Sequence, residues 1–183
     1  MNPGRGRNRG IALALAIVAL SLGVAACGEE EEELVVEGEP IELGDLRFNV
    51  QLTRLLNPTD AEDAEYLRDL PAPSPGQDYL AVFMEVDNEG DDEARLPSAA
   101  DLEVSDSTGA AFEPVETESL FALELGAPIE SGGQAPAEDT AARSGPVQGA
   151  FVLFLIDEQA SENRPLELEI EADGEHGTIE LDI

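Results

Sequence analysis

Short segments in which apolar and polar residues alternate recur along this chain, and they constrain its fold more than any other feature. The clearest segment runs from Tyr79 to Val86, where Leu80, Val82 and Met84 occupy alternate positions before Val86. Alternation with a period of two places one face of a β-strand against a core. Ala81 and Phe83 give the other face of this strand some apolar cover as well. The segment therefore predicts a strand near the centre of a sheet.

Similar apolar segments, each bounded by turn residues, occur both before and after residues 79–86. Strands are predicted at 40–43, 46–52, 94–96, 102–104, 166–171 and 179–183. A further strand is predicted at 151–156, which is apolar on both faces, as is typical of a central strand. The alternation slips at Arg54-Leu55-Leu56, which predicts a bulge or a strand end at that point. Short antiparallel strands at this spacing predict an all-β, two-sheet sandwich of about seven to nine strands. The predicted core consists of Phe48, Val50, Leu80, Val82, Met84, Leu102, Phe112, Val152, Phe154, Leu168 and Leu181.

Two segments interrupt the strand pattern. In residues 57–77, Thr59 or Asp60 can cap a short helix over Ala61 to Leu70, and Pro71 ends it. Tyr66, Leu67 and Leu70 are the side chains that would dock this helix on the sandwich. In residues 114–146, a short strand or a helical turn is expected at 119–125. A mobile loop rich in Gly, Ala, Ser and Pro is expected at 131–146.

The N-terminus has the organisation of an export signal. Arg5, Arg7 and Arg9 precede the apolar segment Ile11 to Val24, which predicts a signal helix. As a helix these residues would rise about 21 Å, short of the roughly 30 Å hydrocarbon core of a bilayer. A lasting membrane span is therefore not expected.

The single cysteine of the chain stands where the signal ends. Val24-Ala25-Ala26-Cys27 resembles the lipobox of bacterial lipoproteins, with Val24 in place of the commoner leucine. The resemblance implies cleavage before Cys27 and acylation of its sulfur, so that a lipid bilayer becomes one partner. The alternative is an ordinary secretory signal with an incidental cysteine. We predict a signal peptide at 1–26, a lipidated cysteine with an acidic stalk at 27–39, and one folded domain at 40–183.

The charge of the chain is strongly negative and excludes several classes of partner. The sequence has 9 basic residues, all of them Arg, against 41 acidic residues. Residues 1–26 hold three of the Arg and no acid, so their removal leaves a formal net charge of −35. Such a surface repels nucleic acid and anionic lipid headgroups. The charge serves either solvation, as in a protein adapted to high salt, or the collection of cations and basic partners.

Several segments together resemble a family of exported bacterial lipoproteins with an immunoglobulin-like domain of unknown function. The similar segments are Gly44-Asp45-Leu46-Arg47-Phe48, residues 79–91 with their Val-x-Asn-x-Gly-Asp turn, residues 102–109, and Val147-Gln148-Gly149 before 151–156. The resemblance covers about residues 40–172 and departs from the family at 57–77 and 114–146. It implies an immunoglobulin-like antiparallel sandwich on a lipid anchor, and it brings no catalytic residues.

Candidate chemistry is sparse in this sequence. The lone histidine, His176, lies in the predicted turn 173–177, and a lone imidazole rarely builds a transition-metal site. A solvated turn is the expected state of Asp87, Glu89, Asp91 and Asp92, although carboxylates crowded in this way can bind Ca²⁺. Their spacing is not that of an EF-hand loop. No phosphate-binding glycine loop and no cofactor motif is present.

Three functions follow from these observations. The first is a non-enzymatic, membrane-anchored binding domain at the extracytoplasmic face, with an unknown protein or envelope partner and no nucleic acid. The second is a calcium- or cation-binding surface module. The third is a carboxylate-based hydrolase that acts through a pair of acids. It is the least favoured, because a chain with 41 acidic residues contains such pairs by chance.

Overall fold

The computed structural model describes residues 33–183. The predicted signal segment, Cys27 and most of the acidic run lie outside these residues. The described part holds twelve strands and one short α-helix, which confirms the predicted all-β class. The strands are β1 Glu33–Val36, β2 Ile41–Leu43, β3 Leu46–Leu56, β4 Gln77–Asn88, β5 Ala94–Arg95, β6 Leu102–Asp106, β7 Ala111–Phe112, β8 Pro128–Ile129, β9 Gln134–Ala135, β10 Ala150–Asp157, β11 Leu166–Ala172 and β12 Glu175–Leu181.

The strands form two main sheets and one small ribbon. The first sheet has the order β1-β12-β11-β6-β7, and the second has the order β10-β4-β3-β2 with β9 paired to β4. Strands β5 and β8 form the ribbon. All pairs are antiparallel except β1 with β12, which is parallel. The predicted strands correspond to β2–β6 and β10–β12, whereas β1, β8 and β9 lie where no strand is predicted.

The space between the two sheets holds the main hydrophobic core. Alternate residues of β4 and β10, such as Val82, Met84 and Phe154, are fully buried there, as their period-two pattern predicts. Ten of the eleven predicted core residues are buried. The exception, Phe112, is partly buried because β7 is a two-residue strand at the edge of its sheet.

A bulge in β3 lies earlier than the sequence predicts. The register with β4 shifts between Val50 and Leu52, not at residues 54–56, and the strand continues to Leu56. An extra residue reverses which side chains face which side of the sheet. Val50 therefore faces the core between the sheets, whereas Leu52 and Leu56 pack in a second cluster with Tyr79 and Phe83.

That second cluster covers the outer face of the β10-β4-β3-β2 sheet. Tyr79, Ala81 and Phe83 of β4 and Phe151 and Leu153 of β10 are all buried on this face. The covering residues come from the two segments that interrupt the strand pattern, 57–77 and 114–147, and include Tyr66, Leu67, Leu70, Val115, Phe121 and Val147. The sandwich therefore carries a third, irregular layer, which explains why β4 and β10 are apolar on both faces.

The structure corrects the predictions for both inserted segments, because the predicted helix over 61–70 is shorter and the predicted loop 131–146 is more ordered. The helix α1 spans only Asp63–Tyr66, yet Tyr66 and Leu67 are buried on the sandwich as predicted. The segment 131–146, predicted as a mobile loop, contains β9 and the buried Ala142. The predicted loop is corrected there because pairing with β4 and core contacts of Ala142 fix its backbone.

The folded domain begins before the predicted boundary at residue 40. Strand β1 pairs with β12 from Glu33↔Gly177 to Val36↔Glu180. The Glu37 carboxylate then accepts hydrogen bonds from the backbone N–H of Thr53, at 3.0 Å, and of Asp182, at 3.1 Å. Residues 33–37 are thus part of the sandwich and not of the stalk, because their backbone completes the edge of the first sheet.

Candidate functional site

A groove between the two inserted segments has the geometry of a binding site. Its floor is the central part of β10, at residues 151–153, and its walls come from residues 68–70, 115–125 and 140–141. Ser98 and Ala99 also line it. The cavity has a volume of about 1040 Å³, which is the size of a ligand or peptide site.

The first wall of the groove, at residues 68–70, belongs to segment 57–77, which is held by a charged and aromatic cluster around Arg54. This guanidinium contacts the carboxylates of Glu62, at 3.1 Å, and of the buried Asp63. Asp63 also accepts a hydrogen bond from the Asn57 N–H at 2.8 Å. The Arg54 guanidinium lies over the Tyr66 ring, 5.8 Å from its centre. These contacts fix the start of segment 57–77 to strand β3.

Tyr66 is the centre of an aromatic group that joins both walls to the sheet. Its ring makes edge-on contacts with Phe83, Phe121 and Phe151, with ring centres 5.4, 5.1 and 5.7 Å apart. Phe121 belongs to the second wall, and the other two belong to β4 and β10. Burial raises the pKa of Tyr66 above its usual value, and the Glu62 carboxylate adds to that increase. The hydroxyl is therefore uncharged at neutral pH.

The second wall is bonded to the free edge of β10. The Val115 N–H donates to the Leu153 carbonyl at 2.7 Å, and the Leu123 N–H donates to the Phe151 carbonyl at 2.9 Å. The Phe151 N–H donates in turn to the Phe121 carbonyl at 2.9 Å. Segment 114–123 thus covers an edge that would otherwise offer unpaired backbone groups to other chains. Further along, Arg143 pairs with Glu85 of β4.

The lining of the groove combines apolar and acidic groups. Partly exposed apolar side chains line the inside, among them Leu70, Val115, Ala122, Leu125 and Ala141. Four exposed acidic residues lie around them: Asp69, Glu116, Glu118 and Glu124. Arg68 is the one basic residue of the lining, and it pairs with Glu65. The groove therefore offers apolar contact inside a negatively charged rim.

The four residues of the predicted cation site do not come together. Asp87 and Glu89 face Arg47, with closest N–O distances of 3.5 and 3.9 Å, and Asp91 and Asp92 are exposed in the following turn. Within residues 33–183, no group of three or more His, Cys, Asp or Glu side chains is placed to hold a metal ion. The Arg47 guanidinium neutralises part of the negative charge of Asp87 and Glu89, so these carboxylates attract a cation less strongly.

The turn motif around Asn88 has a structural role. The buried Asn88 amide donates to the carbonyls of Asp92 and Ile129, each at 2.9 Å, and of Glu130, at 3.1 Å. Its side-chain oxygen accepts from the Gly90 N–H at 3.0 Å. The asparagine thus joins the turn after β4 to the loop after β8. A side chain at Gly90 would collide with Asp45, so glycine is required at that position.

The other candidate residues lie away from the groove. His176 is exposed on β12 opposite Glu171, and not in the turn predicted for it, because the turn closes at residues 173–174. Cys27 lies outside the described residues. In residues 33–183 no helix has the length and apolar character needed to cross a membrane.

The groove itself was not identified from the sequence. The signal that could have located it is the apolar outer face of β4 and β10, which needs a cover, together with two insertions long enough to supply one. Alternation identifies both faces of a strand, but it does not show which distant segments meet over them.

Comparison with known proteins supports the fold. No protein-family model matches the chain, and no curated protein sequence matches it. Among solved structures, the yjhA protein of Bacillus subtilis is 12% identical, with a TM-score of 0.51 over 82% of this chain and 99% of that one. The secreted protein MPT63 of Mycobacterium tuberculosis is also 12% identical, with a TM-score of 0.50 over 81% of this chain and 97% of that one. An uncharacterized β-sandwich protein of Clostridium difficile is 14% identical, with a TM-score of 0.47 over 84% of this chain and 97% of that one. At these identities the first two similarities establish a shared β-sandwich fold.

Proposed function

We propose that this protein is a non-enzymatic binding domain, anchored at the outer face of the cell membrane through acylated Cys27, and that the groove contacts its partner. The observation that carries the proposal is the groove of about 1040 Å³, which is lined by partly exposed apolar side chains and exposed acidic residues. Concave, partly apolar sites of this size are typical places for a ligand or a partner to bind. The partner is a protein or another component of the cell envelope.

The anchor in this proposal rests on the sequence of the N-terminus. Val24-Ala25-Ala26-Cys27 follows a basic and then apolar segment. One of the similar structures, MPT63, is a secreted protein, which accords with a location outside the cytoplasm. Two or more acyl chains, such as a diacylglycerol with a further palmitate, would hold the protein stably on the bilayer.

A catalytic role has less support than binding. Hydrolysis by a pair of carboxylates needs one carboxyl group that is sheltered from water so that it can act as an acid. The four acidic residues of the groove are all exposed, and the lone His176 lies elsewhere on β12. Their exposure fits a charged rim for recognition better than it fits a pair of catalytic groups.

The anchor can be tested on the full chain made in a bacterial host that processes lipoproteins. The native protein should fractionate with membranes, and mass spectrometry should find acylated Cys27 as its first residue. The variant Cys27→Ser should appear in the soluble fraction. An unmodified thiol, or a native protein that still begins at Met1, would overturn the anchored location.

The binding site can be tested by photo-crosslinking at the surface of intact cells. A photoreactive amino acid at Leu120 or Ala141, in the groove, should capture a discrete neighbour. The same amino acid at Glu171 or Glu180, exposed on the opposite sheet, is the matched control. Identical products from both faces, or none from the groove, would overturn the assignment of the groove.

A further inference from the structure

The rim of the groove has a charge that selects among partners. Four acidic residues and one arginine give the lining a formal charge of −3, and the arginine already pairs with Glu65. Since the whole surface is acidic, charge alone does not distinguish the groove. Its distinguishing property is the size of the concave, partly apolar surface beside the acids, because Glu167 and Glu169 of β11 line a cavity of only about 370 Å³.

Leu120 supplies a second, independent observation. It lines the groove, and 79% of its surface is exposed, more than for the other large apolar residues described as exposed. It sits between Glu118 and Glu124 along the wall. An apolar side chain beside a cavity can close over a ligand and lose its contact with water, which favours binding.

We propose that the groove binds a basic polypeptide segment of a partner protein, with the apolar side chains of that segment inside and its Lys or Arg residues against the rim. This inference rests on the proposed function and names the chemistry of the partner. Opposite charge attracts such a segment over a distance and orients it in the groove. A second copy of this chain is disfavoured as the occupant, because each copy carries a formal charge of −35 after processing.

Binding can be measured with three short synthetic peptides of equal length: alternating Lys and Leu, alternating Lys and Ser, and alternating Glu and Leu. The full chain is placed in nanodiscs of phosphatidylcholine, and empty nanodiscs give the blank for peptide adsorbed to lipid. At physiological salt the Lys/Leu peptide should bind at least about tenfold more tightly than either of the others. Equal binding of the Lys/Ser peptide would overturn the inference, because charge alone would then explain the interaction.

Charge reversal locates the site. The groove variant Glu116→Lys/Glu118→Lys/Glu124→Lys should weaken binding of the Lys/Leu peptide by about tenfold or more. The matched variant Glu171→Lys/Glu180→Lys/Asp182→Lys makes the same change in net charge at exposed positions on and beside the opposite sheet, outside both cavities. Because salt screens charges over roughly 8 Å, it should weaken binding by less than about threefold. Equal losses in the two variants would overturn the inference.

Leu120→Ser tests the apolar contribution, and Val36→Ser, at the exposed edge strand β1, is its control. The first should weaken binding of the Lys/Leu peptide severalfold, and the second should leave it unchanged; equal effects contradict the inference.

The two proposals fail in distinguishable ways. If the peptides do not bind but crosslinks still localise to the groove, the partner is not basic and the proposed function stands. If crosslinks do not localise there, the proposed function fails.

Discussion

Asn88 shows how one polar side chain can fix the loops at one end of a sandwich. Its amide group donates to three backbone carbonyls, two of them about forty residues away, and it is almost fully buried. The substitution Asn88→Ala leaves those carbonyls without their donor. We expect a loss of about 2–3 kcal/mol in the free energy of unfolding. Urea unfolding measures it, with the exposed amide Gln148→Ala as the control, which should lose less than about 0.5 kcal/mol.

Asp106 should make stability depend on pH. Its carboxylate accepts hydrogen bonds from the hydroxyl of Thr108, the side-chain amide of Asn163 and the backbone N–H groups of Thr108 and Ala110. These bonds, led by that of the Thr108 hydroxyl, lower the pKa of Asp106 from 3.8 to about 2. A lowered pKa means that the folded state favours the charged form, so this stabilisation is full above pH 3.8 and is lost as the pH falls toward 2.

The prediction is tested by the difference in melting temperature between the native protein and Asp106→Asn. That difference should be constant above about pH 5 and should shrink as the pH falls toward 2. Taking the difference removes the general effect of protonating the many other acids. A difference that stays constant down to pH 2 would contradict the hydrogen-bonded carboxylate.

At the scale of elements, Arg54 holds the inserted segment 57–77 on β3. Arg54→Ala removes the partner of Asp63, whose side chain is only 8% exposed. Leaving a buried acid unpaired lowers the free energy of unfolding by roughly 3 kcal/mol. We expect a loss of about 2 kcal/mol here, because Arg54 is one-third exposed and solvent screens the pair. Arg68→Ala, in the same segment, breaks the exposed pair with Glu65 and should cost less than about 0.5 kcal/mol. Equal losses in urea unfolding would contradict this role of Arg54.

Strand β1 gives a second prediction at this scale. A chain that begins at residue 40 lacks β1 and the Glu37 carboxylate, which bonds to the backbone of both sheets. Hydrogen bonds to a charged group contribute about 1.5–3 kcal/mol each, so the shortened chain should lose about 3 kcal/mol or more relative to one that begins at residue 31. The variant Glu37→Gln of the longer chain should lose less free energy of unfolding than the shortened chain does. If both chains unfold at the same urea concentration, β1 does not stabilise the domain.

For the whole molecule, the net charge should make stability rise with salt. In the first sheet, Glu167 lies directly opposite Glu180, and Glu169 lies directly opposite Glu103. Like charges in such pairs are destabilising, and salt screens them. We expect the melting temperature to rise by about 5 °C or more between 0.05 and 1 M NaCl. A constant melting temperature would show that the charges are too dispersed to matter.

The same measurement tests a cation-binding module. At matched ionic strength, a specific calcium site would raise the melting temperature more with calcium than with magnesium. The pairing of Asp87 and Glu89 with Arg47 leads us to expect equal shifts. A clearly larger shift with calcium would restore the cation module as a candidate.

The sequence by itself determined most of the longer strands, most of their buried faces and most of the core, because period-two alternation is a local property that each strand displays on its own. It also indicated that β10 is buried on both faces, and that Tyr66 and Leu67 dock on the sandwich. Only the tertiary structure decided what covers the outer face of the second sheet. The groove, the bulge after Val50, the place of β1 and the role of Asn88 each depend on pairing between segments far apart in the chain. Such pairing depends on the packing of the whole domain, so it cannot be predicted from the pattern of residues within one short segment.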